Sequence, residues 1–402
     1  MKKMSHTLLA AAITVTTCGV SSSLWADPLT DMLEAGKAYG DLRLRFESVE
    51  EDNAVDDAEA LTLRTRIGFK SGEASGFSLL AEFEDSRPVF GVDDYTVGPT
   101  GFHLGEYSVI ADPQTTELDQ ALVQYKAGGV TAKVGRQVIT LDGHRFVGHV
   151  GWRQDRQTFD AATVTYNPTE ELSLFAGYIG QRNRIFAEAA DIDSEDFLFN
   201  ASYKTPVGKV VGYYYSLGTD DSDTDINTLG ASFSGTAKVS DSLSVLYALE
   251  FATQELDGGG ADADADYLLV EAGVKASIVT AKLGYEVLGS DDGAYGFATP
   301  LATLHKFNGW ADKFLNTPAV GIVDTYISVD VKAGPGSVTA VYHTFDADEA
   351  SATLDELGTE LDLQYAFKFG KGYSAGVKYA QYSADDFSVD TDKFWLWASK
   401  SF

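Results

Sequence analysis

The sequence predicts an all-β fold, namely a single transmembrane antiparallel β-barrel of 18 strands with short periplasmic turns and long extracellular loops. Apolar and polar residues alternate with period two in 18 segments of about ten residues each. The connections between these segments are alternately short and long, which is typical of outer-membrane barrels. After the N-terminal leader, no stretch is apolar for the roughly 20 residues that a transmembrane helix needs.

The first 26 residues have the layout of a secretory signal peptide. A basic "MKK" precedes an apolar run from Leu8 to Val20, and the small residue Ala26 stands before Asp27. We expect cleavage after Ala26, which leaves residues 27–402 as the barrel channel. The only cysteine, Cys18, lies in the leader, so the mature chain would have no disulfide and no thiol site.

The overall charge limits the kinds of partner that the protein can have. The formal net charge is −30, so the chain would repel the phosphate backbone of a nucleic acid. A disordered acidic chain is excluded because 44% of the residues are hydrophobic and 12% are aromatic. The composition therefore predicts a folded protein that does not bind nucleic acid.

One short helical segment, "PLTDMLEAGKA", follows the predicted cleavage site, and strands dominate the rest of the chain. The short connections are turn sequences such as "SGEASG", "TPVG" and "GKG", whereas the three longest connections, 85–117, 139–157 and 289–321, are candidates for folding into the lumen. An even strand number places both termini on the side of the short turns. The predicted strands are 41–49, 60–70, 76–84, 118–126, 130–138, 158–166, 171–180, 196–204, 209–217, 226–237, 242–252, 265–275, 279–288, 322–332, 337–345, 359–368, 373–382 and 392–402.

A soluble β-sandwich is the alternative all-β fold. Its inner faces would be apolar, and it would not need the long–short rhythm of the connections. A closed barrel instead satisfies every backbone N–H and C=O group within the bilayer. The rhythm of the connections therefore favours the barrel.

Two early strands alternate arginine with apolar residues. In "DLRLRFE" the apolar side chains share one face, whereas Arg43, Arg45 and Glu47 share the other. "LTLRTRIGF" repeats the pattern with Arg64 and Arg66. An arginine that faces lipid at the bilayer midplane costs roughly 2–4 kcal/mol, so the arginine face is expected to line the lumen.

All eleven arginines lie between positions 43 and 184, in the first half of the wall and its loops. If the loop 139–157 folds inward, its arginines would join those of the wall around a constriction that favours anions, because guanidinium groups bind carboxylate or phosphate with two hydrogen bonds. The predicted pore-lining and solute-binding residues are Arg43, Arg45, Arg64, Arg66, Arg136, Arg145, Arg153, Arg156, Arg182, Arg184, Glu47 and Glu82.

A structural role for the same arginines is the alternative. They could pair with Glu47, Glu82 and Glu84 on neighbouring strands and neutralise the barrel interior. Both roles can hold in one barrel, and the sequence leaves them open.

Residues 134–166, "VGRQVITLDGHRFVGHVGWRQDRQTFDAATVTY", resemble the alginate-export family of outer-membrane β-barrel porins. The resemblance implies an 18-stranded, monomeric channel with an arginine-rich lumen that passes anionic polysaccharide or smaller solutes. This chain is shorter than the members dedicated to secretion, so small anions or acidic oligosaccharides stand beside alginate as candidate solutes. The matching residues are Gly135, Arg136, Gln137, Arg145, Phe146, Gly148, Trp152, Arg153, Gln154, Gln157, Phe159, Asp160 and Ala161.

Three further partners follow from the predicted location in the outer membrane. The terminal Phe402, with apolar residues at every second position before it, is typical of the signal that the barrel-assembly machinery reads. The acidic runs 220–225 ("DDSDTD") and 262–266 ("DADAD") are expected to lie in solvated external loops. Loose Ca²⁺ there could bridge to lipopolysaccharide. No other cofactor is predicted.

Two rival functions remain. A barrel hydrolase would need a serine held by a histidine, and His343 on a predicted strand is the candidate histidine. A non-conducting structural barrel is the other rival. The five histidines after the leader lack the i, i+4 spacing of a metal site, so no metal protein is predicted. Among five histidines, one near a serine is expected by chance, so no enzyme is predicted either.

Overall fold

The structure is a computed structural model that describes residues 26–98, 102–258 and 262–402. Eighteen strands form one antiparallel sheet in which each strand pairs with the next. The last strand pairs with the first from Asp41↔Ser401 to Glu51↔Thr391, which closes the sheet into a barrel. The predicted fold class and strand number are confirmed.

The strand bounds agree with the predicted segments, and all 18 predictions fall on a barrel strand. A small separate hairpin, β14 (Ser290–Asp291) and β15 (Tyr295–Gly296), lies between the thirteenth and fourteenth barrel strands. The barrel strands are β1 (Lys37–Glu51), β2 (Ala58–Lys70), β3 (Phe77–Asp94), β4 (Thr115–Ala127), β5 (Val130–Gln137), β6 (Thr158–Tyr166), β7 (Leu172–Asn183), β8 (Ile192–Thr205), β9 (Gly208–Gly218), β10 (Thr224–Lys238), β11 (Leu243–Gly258), β12 (Ala263–Ala276), β13 (Val279–Leu288), β16 (Ile322–Ala333), β17 (Gly336–Asp346), β18 (Glu356–Phe369), β19 (Tyr373–Ala384) and β20 (Thr391–Ser401).

The short turns and both ends of the described chain lie at one end of the barrel, which is the periplasmic end. One of the two-residue turns joins β4 to β5 through Gly128 and Gly129, whose φ angles of 56° and 80° suit a type I′ hairpin. The predicted helix is present as α1 (Ala26–Glu34), and it lies against the turn after β2, where Gly72 N–H donates to the Met32 carbonyl at 2.7 Å. The leader itself, with Cys18, lies outside the described residues.

Side chains alternate between the two faces of the wall as the sequence predicts. Arg43 and Arg45 of β1 are buried inside the barrel, whereas Leu44 between them is on the outer surface. In β20, Trp395 faces inward while Leu396 is 54% exposed on the outside. No helix in the described part of the chain is long and apolar enough to cross a membrane.

Several hairpins extend further than predicted on the external side. β3 runs to Asp94, so the predicted loop 85–117 begins ten residues late. β11 and β12 likewise extend, which places most of 262–266 on a strand instead of in a loop. Outside the bilayer both strand faces meet water, so aspartate is tolerated there. Residues 99–101 and 259–261 of these connections lie outside the described part.

All three candidate connections reach the lumen. The one between β3 and β4 brings the buried Asp112 to Arg45, and we call the other two the first inner loop (138–157) and the second inner loop (289–321). They touch each other through a bridge between Val147 and Leu301, and Gly148 N–H donates to the Leu301 carbonyl at 2.7 Å. Phe146 packs against Tyr213 and Tyr267 of the wall, with ring centroids 5.2 Å away in each case. The barrel interior is therefore a packed core at this level.

Candidate functional site

The constriction begins where β1 meets the first inner loop. Arg43 Nε donates to Gln154 Oε1 at 2.8 Å, and its terminal nitrogens donate to the carbonyls of Gly151 (3.1 Å) and Trp152 (2.8 Å). Arg45 contacts the Trp152 carbonyl and pairs with Asp112 and with Glu47, the latter at 3.2 Å. These two arginines therefore hold loop backbone in place.

Gln154 completes this attachment. Its amide nitrogen donates to Thr62 Oγ1 at 2.9 Å and to the carbonyl oxygens of Thr62 (3.2 Å) and Arg43 (3.3 Å). Its backbone N–H donates to Asp112 Oδ1 at 2.9 Å. Gln154 and Asp112 are both fully buried, so each of these hydrogen bonds replaces one that water would otherwise make.

Arg153 joins the two inner loops to the wall. It donates to both carboxylate oxygens of Glu47 at 3.0 and 3.1 Å and to Asp312 at 2.8 Å. Asp312 also accepts from Lys393 at 3.1 Å and lies 2.7 Å from His305 Nδ1. One buried cluster of charges thus connects β1, both inner loops and β20.

Six of the other predicted arginines are also paired, at separate places on the wall and in the first inner loop. Arg64 pairs with Asp41 and Arg66 with Glu84. Arg156, which belongs to the first inner loop, pairs with Glu82 and Asp119 of the wall. The remaining pairs are Arg136 with Asp160 at 2.8 Å, Arg182 with Asp196 at 2.6 Å, and Arg145 with Glu286 at 2.7 Å.

These contacts place the predicted residues without gathering them into one ring. Arg43, Arg45, Arg153 and Glu47 meet at the constriction, whereas Arg136 and Arg182 pair elsewhere on the wall. The pairings include those with Glu47, Glu82 and Glu84, which are the structural partners that the sequence left open. The binding of solute by these residues stays a prediction.

Arg184 differs from the other arginines. In the described part of the chain no carboxylate lies within salt-bridge distance of its side chain, which is half-buried and lies 5.5 Å from the Phe186 ring centroid. It lines an external cavity of about 320 Å³, with Arg153, Lys313 and Lys393 as the other cations and Glu51 and Asp312 as the carboxylates. Arg184 also borders a second external cavity of about 460 Å³.

A cavity of about 510 Å³ lies on the periplasmic side, lined by Arg145, Glu250, Tyr267 and Lys306 among others. It shares no lining residue with the 320 Å³ external cavity. Residues 304–312 of the second inner loop lie between the two, and His305 and Asn308 in this segment are about 5% and 4% exposed. We call residues 304–312 the crossbar.

Burial changes the protonation of two loop residues near the constriction. It lowers the pKa of His305 to about 3, so this ring is neutral at ordinary pH. Burial also raises the pKa of Asp155 well above its usual value, and the carboxylates of Glu117 and Glu84 raise it further. A neutral His305 can accept a hydrogen bond at Nε2 while it donates from Nδ1 to Asp312.

The rival site at His343 contains two carboxylates. His343 Nδ1 lies 2.8 Å from Asp324, and its Nε2 lies 3.8 Å from Asp362. None of the hydrogen bonds found among the described residues joins this ring to a serine. Within the same residues, no group of three or more histidine, cysteine or acidic side chains is arranged to hold a metal ion. The loose Ca²⁺ at external loops stays a prediction.

Sequence reasoning missed several residues of the constriction. Gln154 was recognised only as part of the "WRQ" motif, and Asp112, Asp312 and Lys378 belong to no recognisable sequence motif. Their partners lie far away in the sequence, and only the closed barrel brings them together.

The fold is that of solved outer-membrane porins. The structures of OpdO and OccK9 (OpdG) from Pseudomonas aeruginosa match with TM-scores of 0.71 and 0.74 at 15% and 14% sequence identity. The matches cover 93% and 92% of this chain and 99% of each porin. OccAB1 from Acinetobacter baumannii matches at a TM-score of 0.69 and 12% identity, over 92% of this chain and 97% of that porin.

No curated protein matches the sequence. The family described as alginate export matches residues 38–287, which includes the segment that carries the resemblance. The barrel, its location in the outer membrane and this match over more than half of the sequence lead to one conclusion: the chain belongs to the alginate export family.

Proposed function

We propose that the protein is a passive outer-membrane channel for small hydrophilic solutes and that its external mouth favours anions. The charge of the external cavity carries the proposal. Four cationic side chains line this cavity against two carboxylates, although the protein as a whole has a formal net charge of −30. A basic zone inside an acidic protein raises the local concentration of anions where the low-dielectric wall focuses the field.

Arg184 is the proposed solute-binding residue of this mouth. Its guanidinium is not committed to a carboxylate among the described residues, so its donors can meet the carboxylate of a solute with two parallel hydrogen bonds. The other arginines at the constriction already hold carboxylates or loop carbonyls, and solute would have to displace those partners.

The packing of the inner loops favours small solutes over a polysaccharide chain. Arg45, Asp112 and Gln154 are at most 1% exposed, and the crossbar separates the external from the periplasmic cavity. A polymer would need both inner loops to leave the lumen. We therefore propose small anions or short acidic oligosaccharides, and not the alginate chain, as the solutes.

Planar-bilayer recordings test this function. In a salt gradient, the wild-type reversal potential should indicate anion preference, and Arg184→Gln should lower the anion-to-cation permeability ratio about threefold. Arg87→Gln is the matched control, because this arginine is about half exposed and pairs with Asp85. Cation preference in the wild type, or equal effects of the two variants, would contradict the proposal.

The same recordings separate the rival functions. A non-conducting structural barrel gives no current in a bilayer that contains folded protein. A hydrolase would turn over phospholipid in detergent and lose that turnover in His343→Ala, in which the ring that contacts Asp324 is gone.

A further inference from the structure

Lys378 occupies an aromatic cage inside the barrel. This residue of β19 is about 5% exposed, and its Nζ lies 4.0 Å from the ring centroids of both Trp152 and Trp310. The ring of Trp395 completes the cage at 5.7 Å. Trp152 belongs to the first inner loop, Trp310 to the second, and Trp395 to β20, so a single ammonium group contacts both inner loops and the wall.

The fourth contact of the ammonium group is a histidine. Nζ of Lys378 lies 3.0 Å from Nε2 of His305. Since His305 Nδ1 lies 2.7 Å from Asp312, the neutral ring donates to Asp312 and accepts from Lys378. The ring also stacks on Trp152, with the centroids 5.0 Å apart and the planes 5° from parallel.

Aromatic faces replace the usual carboxylate partner of a buried lysine here. Among the described residues, no acidic oxygen lies within salt-bridge distance of Lys378. A cation over an indole face is attracted by the ring quadrupole, and the attraction grows when water is excluded. Loss of the charge would therefore remove the attraction between this wall position and both loops together.

The crossbar also has attachments at its middle and towards its C-terminal end. Ala311 N–H donates to Glu360 at 2.7 Å, and Asn308 accepts from Arg145 at 2.9 Å. Lys378 contacts His305 and Trp310 of the crossbar and, at the same time, Trp152 of the first inner loop. It is the wall residue placed where the two inner loops meet.

We propose that Lys378 is a positioning residue that holds the two inner loops together across the lumen. Without its charge the crossbar would separate from Trp152, and the path between the external and periplasmic cavities would widen. This role goes beyond solute preference at the external mouth. Only its test by single-channel recording rests on the proposed channel function.

Tryptophan fluorescence gives a readout that does not depend on conductance. The four tryptophans that follow the predicted cleavage site, Trp152, Trp310, Trp395 and Trp397, all lie in this cluster. In purified folded protein, Lys378→Met should shift the emission to longer wavelength and raise quenching by acrylamide about twofold. Lys238→Met is the control, because that lysine is 68% exposed beside a periplasmic turn.

Single-channel recording tests the effect on the passage. Lys378→Met should raise the occupancy of high-conductance states about tenfold, whereas Lys238→Met should not. A double variant with Trp310→Leu should add little to Lys378→Met, because both changes remove the same contact. Far-UV circular dichroism checks that each variant has kept its barrel.

Three outcomes would overturn the proposal: unchanged emission and quenching in Lys378→Met, unchanged conductance states in a conducting protein, or fully additive effects in the double variant. If the wild type conducts no current, the proposed channel function fails by itself. The fluorescence comparison then still decides whether Lys378 holds the loops.

Discussion

The two halves of the barrel wall hold the inner loops by different chemistry. In the first half, β1 holds the first inner loop through guanidinium groups, because Arg43 and Arg45 donate to the carbonyls of residues 151–153. Strands β8 to β20 contain no arginine, and there the crossbar is held by the carboxylates of Glu360 and Glu286 and by Lys378.

This difference indicates which loop moves more easily. A guanidinium group keeps its charge at any ordinary pH and offers five donors in a fixed plane, so several contacts must break together before the first inner loop can leave. The wall of the second half holds the crossbar through separate contacts from Glu286, Glu360, Lys378 and Lys393, each of which can break alone. Arg145 and Arg153 connect the crossbar to the first inner loop. We therefore expect motion in the lumen to begin in the second inner loop.

The largest expected effect tests the arginine half. Arg45→Ala should lower the free energy of unfolding by about 3–5 kcal/mol, because it leaves the buried carboxylates of Glu47 and Asp112 without this partner. Urea titration of the protein in detergent measures it. Arg87→Ala, which removes a half-exposed arginine, should cost less than about 1 kcal/mol. Similar losses in the two variants would mean that guanidinium groups do not fix the first inner loop.

A second prediction tests the crossbar with a matched pair of glycines. Gly309 has a φ of 85°, and a Cβ there would collide with the Glu360 carboxylate, whereas Gly293 of the same loop has a φ of 73° and open space around it. Backbone strain is common to both substitutions, so Gly309→Ala should lower the free energy of unfolding by about 1–2 kcal/mol more than Gly293→Ala. If urea titration gives the same loss of unfolding free energy for both variants, the crossbar accommodates the added Cβ without loss of stability.

The smallest expected effect is a pH dependence that belongs to the arginine half. Because the pKa of Asp155 is raised in the fold, the unfolded chain ionises first as pH rises, and the free energy of unfolding falls until the folded carboxyl also ionises. Asp155→Asn should remove this loss and gain about 1 kcal/mol near pH 7.

Urea titrations between about pH 4 and pH 8 measure this dependence. Asp142→Asn, in the same loop but paired with Lys209 at 2.6 Å near solvent, is the control. If Asp155→Asn keeps the wild-type slope against pH, burial of Asp155 does not control the stability of the first inner loop.

The wall could be predicted from the sequence because lipid imposes a simple rule on it. Leu44 and Ile67 face outward and Arg43 and Arg66 face inward, as the period of two requires. The external ends of β3 and β12 were missed, since aspartates there meet water on both faces and look like a loop. The predicted number of strands was nevertheless correct, because each hairpin contained a recognisable membrane-spanning part.

The interior of the constriction could be predicted only in part. The inward face of the arginines followed from the cost of placing charge in lipid, but their partners did not. Arg43 and Gln154 are 111 positions apart, and no local pattern joins them. Lys378 is the only charged residue of β19, and its cage is assembled from both inner loops and the last strand.

The seam of the barrel joins the two ends of the chain. Gly40 and Phe402 exchange two backbone hydrogen bonds of 2.9 Å, and the same two strands, β1 and β20, contribute Arg45 and Trp395 around the loop core. Until β20 is in place, β1 keeps one edge open. A chain that stops before β20 would keep two open edges and invite pairing with other copies. Closure of the ring and completion of its filling are thus one event, because both need β20 beside β1.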